Sequence, residues 1–562
     1  MKQFPIYQNK LSPCTAKDHL NNRGCLANND IARFIFAITL KEYRLAFNIL
    51  KETNPFSGGC GRFCDHPCET ACNRAKFDSP VDIQLLERFA SDYGFKKGIL
   101  PDKQINKKER IAVIGGGPAG LSSAYFLARS GYSATLFEKH EKAGGMLKEG
   151  IPIYRYPDNI YQYEIDYIKE SGVKIETKAE IDGKSLKNLQ KEFHAVIVAS
   201  GAHKPKKLGI KGDNLDGVIV GLDFLKTVNL SEEVNKGDIK KLVKKTGIGK
   251  KAAVIGGGYT AFDVARSARK LGSEVTIYYR RTVNEMSAHP GEVEELKKEG
   301  VNFVLLAAPK EIAKVNGRLK LTLQRMKLAE PDSSGRRKPI PIAGETFETD
   351  VDNVITAISE DPDLSFLPEP YSVDRFFLNI DGNKKLNTFI TGDALAGRCP
   401  ETGSVVAAVG SAQGVAKNVI DFLTGKNNNR KEELIAYYNT IQTRYFEVLG
   451  RAVVPKIPYK ERMGNFNEIT QTLSEAAAVD KASRCFFCGI CIQCDWCLNY
   501  SNTSIAKLVM PWNPEKDAFF YKFLKEKVDR TTVRSVWACP RNAMGVVDET
   551  KENQRVIREQ YE

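Results

Sequence analysis

Two glycine-rich loops, each between a short apolar strand and a helix, constrain the fold of this 562-residue chain most strongly. In the first, the apolar residues 111–114 are followed by Gly115, Gly117 and Gly120, and then by the helical pattern LSSAYFLARSG. Glycines at this spacing permit a tight turn and a close approach of the backbone to a pyrophosphate, which a helix N-terminus attracts. The next strand, SATLFE, ends in Glu138, whose carboxylate suits a pair of ribose hydroxyls. The unit predicts a Rossmann-like domain.

The second loop repeats this arrangement later in the chain. In KAAVIGGGYTA, the residues Gly256, Gly258 and Ala261 occupy the three glycine places, and the segments DVARSARKLG and EVTIYYRR supply a helix and a strand. Because the two units can be laid on each other residue by residue, the sequence predicts a second Rossmann-like domain.

The two units differ where their second strands end. Glu138 lies 23 residues after the first glycine of its loop, and the same step in the second unit reaches Tyr279, followed by Arg280 and Arg281. A carboxylate repels a 2′-phosphate, whereas a guanidinium group binds one. The first loop is therefore predicted to bind FAD and the second NADP(H), with NAD(H) still allowed. The alternative is that one or both arginines pair with acids at the surface.

A later segment returns the chain to the first domain. Residues 387–393 (NTFITGD) predict a strand entering a Gly-Asp turn, and residues 405–423 predict a helix. This return makes the second unit an insertion in the first and directs the Asp393 carboxylate toward the ribityl chain of a flavin. No cysteine lies between Cys72 and Cys399, which excludes the dithiol chemistry of many flavoproteins, and Cys399 is interpreted as a loop thiol.

Twelve of the thirteen cysteines lie near the two ends of the chain. Four of the N-terminal six recur every four residues around Pro67, and two lie upstream: Cys60, Cys64, Cys68 and Cys72, with Cys14 and Cys25 before them. Cysteines grouped this closely in the sequence are typical of ligands to structural zinc or to iron–sulfur clusters. Clusters are favoured because the middle of the chain handles electrons.

The six C-terminal cysteines have the pattern of half a two-cluster ferredoxin, whose runs follow C-x2-C-x2-C-x3-C-P with the fourth cysteine on the other cluster. Ser501 stands in the fourth place, and an isolated Cys539 precedes Pro540. The favoured ligand set of one surviving cluster is Cys491, Cys494, Cys497 and Cys539, with Cys485 and Cys488 spare. The alternative set is Cys485, Cys488 and Cys491 with an outside ligand.

Composition narrows the class of protein. Hydrophobic residues make up 42% of the chain, and no apolar run approaches the roughly 18–20 residues of a membrane span. The N-terminus lacks the apolar core of a signal peptide, so a cytoplasmic location is expected. The formal net charge is +14, but the lysines are spread along the chain. We therefore expect no nucleic-acid function; a basic surface for an acidic electron-transfer partner fits better.

Longer motifs, from about residue 12 to residue 425, carry a family resemblance. They are NPFSGGCGRFCDHPCETACNR, PVDIQLLERFA, GGGPAGLSSA, GGMLKEGIPIYRYP, ASGAHKPKKLGIKG, GGGYTAFDVARSARKLG, YYRR and TGD. The chain resembles the family of the glutamate synthase small (β) subunit. That family includes the N-terminal half of dihydropyrimidine dehydrogenase and the large subunit of NADH-dependent ferredoxin:NADP oxidoreductase.

The resemblance implies an α/β fold with two Rossmann-like domains, the NAD(P) domain inserted in the FAD domain, between an N-terminal α-helical iron–sulfur domain and a C-terminal ferredoxin-like one. The FAD candidates are Gly115, Gly117, Pro118, Ala119, Gly120, Glu138, Lys139, Gly145, Met146, Leu147, Arg155, Gly201, Gly392 and Asp393. The NAD(P)H candidates are Gly256, Gly258, Tyr259, Thr260, Ala261, Arg280 and Arg281.

The resemblance also implies an N-terminal [4Fe–4S] cluster near the flavin, ligated by Cys25, Cys64 and Cys68 with a non-cysteine ligand at Glu87. Relatives with two such clusters have four upstream cysteines, and this chain has two. Cys14, Cys60 and Cys72 form a second N-terminal cluster only with a fourth ligand that the sequence does not identify. Two clusters are therefore expected, and three are the alternative.

The predicted domains are residues 1–107 (helical iron–sulfur), 108–245 and 366–425 (FAD), 246–365 (NAD(P)H), 426–480 (helical connector) and 481–562 (ferredoxin-like). The connector is expected to be helical, with residues 434–446 amphipathic. The predicted function is electron transfer between NAD(P)H and iron–sulfur clusters through FAD, for a partner enzyme or a ferredoxin. No catalytic acid–base pair is visible. A glutamate synthase small subunit and a relay subunit without turnover are the alternatives.

Overall fold

The structure, a computed structural model, describes most of the chain. The described residues are 3–7, 10–16, 24–332, 335–374, 376–380, 387–395, 403–426, 434–492, 494–500, 505–507, 521–528, 532–533 and 536–548. Contacts divide the chain into two units. The first unit comprises Met1–Ile99, Lys426–Val454 and Thr472–Glu562, and the second comprises Leu100–Gly425 and Pro455–Gln471.

A seven-stranded sheet forms the framework of the FAD domain in the second unit. Its strand order is Tyr371–Asp374, Phe377–Ile380, Thr388–Ile390, Ala195–Val198, Arg110–Ile114, Ser133–Phe137 and Lys174–Glu176. The last five strands are parallel, so their carboxyl ends share one edge. The helices are Pro118–Arg129, Met146–Glu149, Asp158–Glu170, Gly183–Glu192 and Val405–Thr424. The predicted return strand and helix are thereby confirmed.

A five-stranded, all-parallel sheet forms the inserted domain. Its order is Asn302–Leu305, Glu274–Tyr279, Lys251–Ile255, Asn353–Thr356 and Val218–Val220. The helices are Gly221–Asn229, Glu232–Lys236, Ile239–Thr246, Tyr259–Lys270 and Pro290–Lys298. Between Asn302–Leu305 and Asn353–Thr356, the chain forms a separate three-stranded antiparallel sheet. Its strands are Ala307–Val315, Arg318–Pro331 and Arg337–Val351.

The insertion predicted from the sequence is confirmed, but it starts earlier than residue 246. The chain leaves and re-enters the FAD domain through Ala202–Pro205 and Glu360–Pro362, which pair antiparallel. The strand Val218–Val220 already pairs with the inserted sheet. Phe224 and Leu225 are buried in its core, so residues before 246 belong to it by both pairing and packing.

The first unit is mainly helical, as expected for its N-terminal part. Its helices are Ile31–Thr39, Tyr43–Thr53, Ser57–Phe63, Pro67–Thr70, Ile83–Lys96, Glu475–Ser483 and Trp496–Tyr500. Two strand pairs accompany them: Gln3–Tyr7 with Met544–Asp548, and Ile505–Lys507 with Tyr521–Phe523. The N-terminal and ferredoxin-like segments, predicted as separate domains, therefore belong to one unit.

The connector at residues 426–480 differs from the predicted helical segment. Between residues 434 and 473, the described part contains only three 3-10 turns, Tyr438–Thr440, Thr443–Tyr445 and Tyr459–Glu461. Side chains from elsewhere in the first unit satisfy its backbone: Asn73 donates to the Ala436 carbonyl (2.8 Å) and Arg74 to the Glu447 carbonyl (2.6 Å). An amphipathic pattern alone does not produce a helix where tertiary partners take the carbonyls.

Candidate functional site

The first glycine loop is packed too tightly for side chains at two of its positions. Gly115 has φ +104°, and a Cβ there would lie 2.4 Å from the Ala199 carbonyl oxygen. A Cβ on Gly120 would lie 1.9 Å from the Gly115 carbonyl oxygen. These contacts bring the helix Pro118–Arg129 against the strand before the loop, with Pro118 in the first helical position.

Gly117 differs from its neighbours because the space beside it is open. It is the N-cap of the helix, with φ −77°, and an added Cβ would meet no atom within 4 Å. The free N–H groups of the first helical turn lie beside this opening, which is the arrangement that a pyrophosphate requires. Nearby, the buried hydroxyl of Ser200 has no hydrogen-bond partner among the described residues. The opening and the unpaired hydroxyl both fit a bound dinucleotide.

The Glu138 carboxylate is fixed at the carboxyl end of its strand. One oxygen accepts a hydrogen bond from the Gly116 backbone N–H at 2.7 Å, and the other accepts from the His140 N–H at 2.8 Å. The side chain is buried, with 5% of its surface exposed. Backbone donors thus hold a negative charge beside the glycine loop, where the sequence places the adenosine ribose of FAD.

The segment around Gly145 lies against the same loop. The Gly144 N–H donates to the Gly116 carbonyl at 2.6 Å, and a Cβ on Gly145 would lie 3.0 Å from the Gly117 Cα. Met146 and Leu147 begin the short helix that follows. The other two nearby candidates are Lys139, which is exposed, and Gly201, which has φ +72° and packs against His203. Their contacts with FAD remain predictions.

The Gly-Asp turn comes back to the start of this helix. Gly392 has φ +66°, and a Cβ there would lie 2.5 Å from the Cβ of Ala119. The neighbouring Asp393 accepts a hydrogen bond from the Gly403 N–H at 2.7 Å. Burial raises the pKa of Asp393 above its ordinary value, as expected for a carboxyl group largely withdrawn from water.

The second glycine loop repeats the close packing of the first. Gly256 has φ +154°, and a Cβ there would lie 2.3 Å from the Ala357 carbonyl oxygen. Ala261, in the third glycine place, is completely buried. Gly258 is the N-cap of Tyr259–Lys270, the helix that also carries Thr260. The first turn of this helix provides the same free N–H donors as in the first domain.

Tyr279 occupies the place that Glu138 has in the first domain. A Cβ on Gly257 would lie 2.6 Å from its ring, so the ring covers the loop where a carboxylate stands in the other unit. The Tyr279 hydroxyl donates to the Glu285 carbonyl at 2.9 Å. No negative charge therefore faces the second loop from the end of this strand.

The two arginines after Tyr279 have different surroundings. Arg281 is buried, pairs with Asp332 at 2.7 Å, and donates to the Arg337 carbonyl at 2.8 Å. The alternative that one arginine pairs with an acid therefore holds for Arg281. Arg280 is exposed, which leaves it as the arginine suited to a 2′-phosphate.

Arg155, a predicted FAD contact, belongs to a buried ionic network. Its Nε donates to Asp263 at 2.6 Å and its Nη2 to Glu292 at 2.7 Å. Asp263 lies on the helix Tyr259–Lys270 that begins at the second loop. Arg155 therefore holds a segment of the FAD domain against the nucleotide helix, and its role toward FAD remains a prediction.

The network continues through Glu299. Its two oxygens accept from Arg266 at 2.6 Å and from Arg462 at 2.8 Å, and the Glu299 side chain is fully buried. We expect Glu299→Ala to lower the free energy of unfolding by about 3 kcal/mol, because two buried guanidinium groups lose a counter-charge. Urea denaturation of the two proteins measures the difference. Glu294→Ala, at an exposed position nearby, is the control, with a change under about 0.5 kcal/mol; equal losses in both would contradict the expectation.

Cys25, Cys64, Cys68 and Glu87 lie together in the first unit. Burial is the main cause that raises the pKa of Cys25 to about 12, and the neighbouring charges of Glu87 and Cys64 contribute. Burial likewise raises the pKa of Cys68, with contributions from Cys25 and Cys64. A bound metal displaces the protons of such thiols. The structure thus groups the four residues of the implied N-terminal cluster.

The Glu87 carboxylate has a fixed orientation. One oxygen accepts from the Asn29 amide at 3.0 Å and from the Asn54 amide at 3.3 Å, and the other lies 3.0 Å from His66 Nε2. The His66 backbone N–H in turn approaches the Cys64 sulfur at 3.4 Å. Three side chains therefore hold the carboxylate beside the thiols, as supporting residues commonly do at metal sites.

The C-terminal residues Cys491, Cys497 and Cys539 share one small apolar cluster. The charge of Cys494 acts on Cys539, so the fourth cysteine is close to the set. The Ala543 backbone N–H also approaches the Cys539 sulfur at 3.3 Å. This grouping matches the favoured ligand set, whereas the prediction for Ser501 falls outside the described residues, as does that for Cys399.

The remaining candidate cysteines fall into two groups. Cys60 is buried in the helix Ser57–Phe63. Cys14, Cys72, Cys485 and Cys488 are buried near one another. Among the described residues, no group of three or more His, Cys, Asp or Glu side chains has a geometry that could hold a single metal ion.

Two family models match the chain. The pyridine nucleotide-disulphide oxidoreductase model matches residues 109–375. A second model, dihydropyrimidine dehydrogenase domain II with a 4Fe-4S cluster, matches residues 10–99. The first covers both glycine loops and the second covers the six N-terminal cysteines.

Three relatives match over much of their length. The NADPH-Fe(3+) oxidoreductase subunit beta of Geobacter sulfurreducens is 35% identical over 515 residues, covering 83% of this chain and 74% of that protein. The chain belongs to the glutamate synthase small-subunit-like oxidoreductases. The NADP(+)-dependent formate dehydrogenase subunit beta of Moorella thermoacetica is 34% identical, with 83% and 69% covered. The glutamate synthase [NADPH] small chain of Escherichia coli is 32% identical, with 56% and 69% covered.

As a member of the glutamate synthase small-subunit-like family, the chain is an oxidoreductase. The family models confirm the predicted cofactor classes, namely FAD, NAD(P) and a [4Fe–4S] cluster. In the part of the chain that the structure describes, no helix is long and apolar enough to cross a membrane.

Sequence reasoning did not identify several residues that the structure places at these sites. Ser200 follows a buried strand and leaves its hydroxyl unpaired, and Asp332 neutralises Arg281. The Ser-Gly pair near the start of ASGAHKPKK, directly after the buried strand, is the sequence signal for Ser200. No local signal identifies Asp332, because its ion pair joins residues 51 positions apart.

Proposed function

We propose that this chain is the flavin-containing subunit that transfers electrons between NADPH and iron–sulfur clusters. The observation that carries the proposal is the contrast between two equivalent strand ends. Glu138 presents a buried carboxylate to the first loop, whereas Tyr279 presents an uncharged ring to the second, with Arg280 exposed beside it. An acid suits the unphosphorylated ribose of FAD, and a free guanidinium group suits NADP(H).

The cofactors supply the redox chemistry, in which a bound FAD accepts two electrons together and releases them singly. The residues of this chain bind and orient them. In the FAD domain, the opening beside Gly117 would hold the pyrophosphate, and Glu138 would hold the ribose. In the inserted domain, the helix that starts at Tyr259 would hold the phosphates of NADPH.

We assign two [4Fe–4S] clusters to the ligand groups predicted from the sequence. The N-terminal cluster would use Cys25, Cys64, Cys68 and Glu87. The ferredoxin-like cluster would use Cys491, Cys494, Cys497 and Cys539. The interactions of Cys25 and Cys68 with the charges around them support the first set. The apolar cluster shared by Cys491, Cys497 and Cys539 supports the second.

The chain would act as one subunit of a larger oxidoreductase or would reduce a ferredoxin. Two relatives are named as beta subunits. One belongs to the NADPH-Fe(3+) oxidoreductase of Geobacter sulfurreducens, and the other to the NADP(+)-dependent formate dehydrogenase of Moorella thermoacetica. The partner would supply the second half-reaction. A glutamate synthase role would require a glutamine-hydrolysing partner.

Anaerobic mixing of the isolated chain with NADPH tests the proposal. We expect the flavin absorbance to bleach and added methyl viologen to be reduced, because the clusters pass on single electrons. A chain that serves only as a structural relay would show no bleaching with either NADPH or NADH, and that result would overturn the proposal. Proteins that co-purify with the tagged chain would identify the partner class.

Coenzyme preference provides a separate prediction. Arg280→Ala is expected to lower kcat/KM for NADPH by about 10–100-fold, the loss of a charged hydrogen bond worth about 1.5–3 kcal/mol, with little change for NADH. Steady-state viologen reduction with each nucleotide measures this effect. Arg281→Ala is the matched control, because its guanidinium group is already paired with Asp332. A larger preference change at Arg281 than at Arg280 would contradict the assignment.

A further inference from the structure

Four buried cysteines from distant parts of the sequence lie together in the first unit. Cys14, Cys72, Cys485 and Cys488 have exposures of 8, 8, 9 and 7%. None is in the two ligand sets assigned above, and all four are free thiols. The pair Cys485-Phe-Phe-Cys488 has the C-x2-C spacing of metal-binding loops.

Hydrogen bonds join the Cys485–Cys488 loop to the segment around Cys72. Asn73 donates from one amide nitrogen to the Cys488 sulfur at 3.2 Å and to the Ala436 carbonyl at 2.8 Å. The guanidinium group of Arg74 donates to the Arg484 carbonyl, directly before Cys485. Two consecutive residues after Cys72 therefore hold the loop on both sides of the C-x2-C pair.

A second set of contacts joins the same loop to the segment before Cys14. The Lys10 N–H donates to the Gly489 carbonyl at 3.1 Å. Gly489 has φ +80°, and a Cβ there would lie 2.3 Å from the Lys10 carbonyl oxygen. Only glycine permits this conformation and this approach. The loop is thus fixed against two segments that carry the other two cysteines.

The four cysteines also interact electrostatically. Burial raises the pKa of Cys14 well above its ordinary value, and the charges of Cys72, Cys485 and Cys488 all raise it further. The positive charge of Arg541 acts on both Cys485 and Cys488. Its Nε is buried and has no hydrogen-bond partner among the described residues. Such a cation compensates an anionic group in a dry site.

We infer that Cys14, Cys72, Cys485 and Cys488 together ligate a third [4Fe–4S] cluster, which ties the two ends of the chain together. The two cysteines that looked spare in the ferredoxin-like tail thus join Cys14 and Cys72, for which the sequence identified no complete ligand set. Each Fe–S bond replaces an S–H bond, and the proton passes to solvent. This inference adds a ligand set to the proposed function and does not depend on nucleotide turnover.

Cluster size separates this site from a single-ion site. A zinc ion binds each ligand sulfur at a Zn–S distance of about 2.3 Å, so its four sulfurs lie close to one another. A [4Fe–4S] cube places four irons and four sulfides between its ligands, so the thiolates stand further apart. The site is therefore compatible with the finding that the described residues offer no single-ion geometry.

The iron and acid-labile sulfide content of the full chain tests the inference. Both are measured per bound FAD after anaerobic purification. Cys488→Ser is expected to lose about four irons and four sulfides, together with one EPR signal of the dithionite-reduced protein. Cys14→Ser should lose the same signal, and the double variant should lose no more than either single variant. Cys60→Ser, at another buried cysteine of the same unit, is the control and should lose nothing.

The alternative ligand set of Cys485, Cys488 and Cys491 predicts a different pattern. In that case Cys14→Ser would keep all its iron, and Cys488→Ser and Cys491→Ser would remove the same cluster; this pattern would overturn the inference. On our assignment Cys488→Ser and Cys491→Ser remove different clusters, so the iron losses of these two variants add in the double variant.

A milder variant covers the case in which the cysteine variants fail to fold. Asn73→Ala keeps all four thiols but removes the N–H donor to the Cys488 sulfur. We expect the reduction potential of one cluster to become more negative, because that hydrogen bond stabilises the more negative reduced state. Potentials unchanged for every cluster in an EPR-monitored titration would contradict a cluster at this site.

Discussion

The Gly117→Ala protein is expected to fold like the unsubstituted chain and to bind FAD about 10–100-fold more weakly. The backbone at Gly117 has φ −77°, which alanine adopts readily, and the added methyl group meets no protein atom within 4 Å. The methyl group would instead occupy the opening through which a pyrophosphate approaches the helix N-terminus. FAD fluorescence titration of the apoprotein and circular dichroism measure binding and folding separately.

The equivalent substitution in the second loop provides the control. Gly258→Ala changes the same position in a helix of the same kind, and its Cβ would lie 3.2 Å from the Ser287 hydroxyl. This variant should retain stoichiometric FAD and bind NADPH more weakly. If Gly117→Ala retained full FAD affinity, the first loop would not be the pyrophosphate site.

The Cys68→Ser protein is expected to be reduced by NADPH at the flavin and to reduce viologen at least about 100-fold more slowly. Cys68 lies beside Cys25 and Cys64 in the proposed N-terminal ligand set, and serine is a poor substitute for a thiolate on iron. Stopped-flow absorbance separates the two steps, because flavin bleaching precedes electron transfer to the acceptor.

Cys60→Ser serves as the control here too. Cys60 lies one helical turn before Cys64 and is also buried, but it belongs to none of the three proposed ligand sets. Its viologen reduction should stay within about twofold of the unsubstituted chain. Loss of flavin bleaching in Cys68→Ser would show instead that this cysteine supports the FAD domain.

The two dinucleotide domains could be predicted from the sequence in some detail. Each rests on a strand, a loop and a helix that are contiguous in the chain, so local spacing specifies the packing. Tyr279 in the place of Glu138 could be read from a count of positions, and the structure places the ring against the second loop. The return through Asp393 was also predictable because a strand and a helix flank it.

Other features needed the tertiary structure. The connector was expected to be helical from its amphipathic pattern, but side chains such as Asn73 and Arg74 take its carbonyl groups. The inserted domain starts earlier than expected because the short strand Val218–Val220 pairs with Asn353–Thr356, far along the chain. In both cases long-range partners, which no local window contains, decide the local conformation.

The sequence by itself determined two Rossmann-like domains, their order of insertion and the chemical difference between their ribose sites. The tertiary structure decided that Arg281 is paired and Arg280 exposed, and that Cys14 and Cys72 lie with Cys485 and Cys488. The physical reason is sequence distance. A glycine loop works through residues a few positions apart, whereas an ion pair or a cluster site joins side chains that only the folded chain brings together.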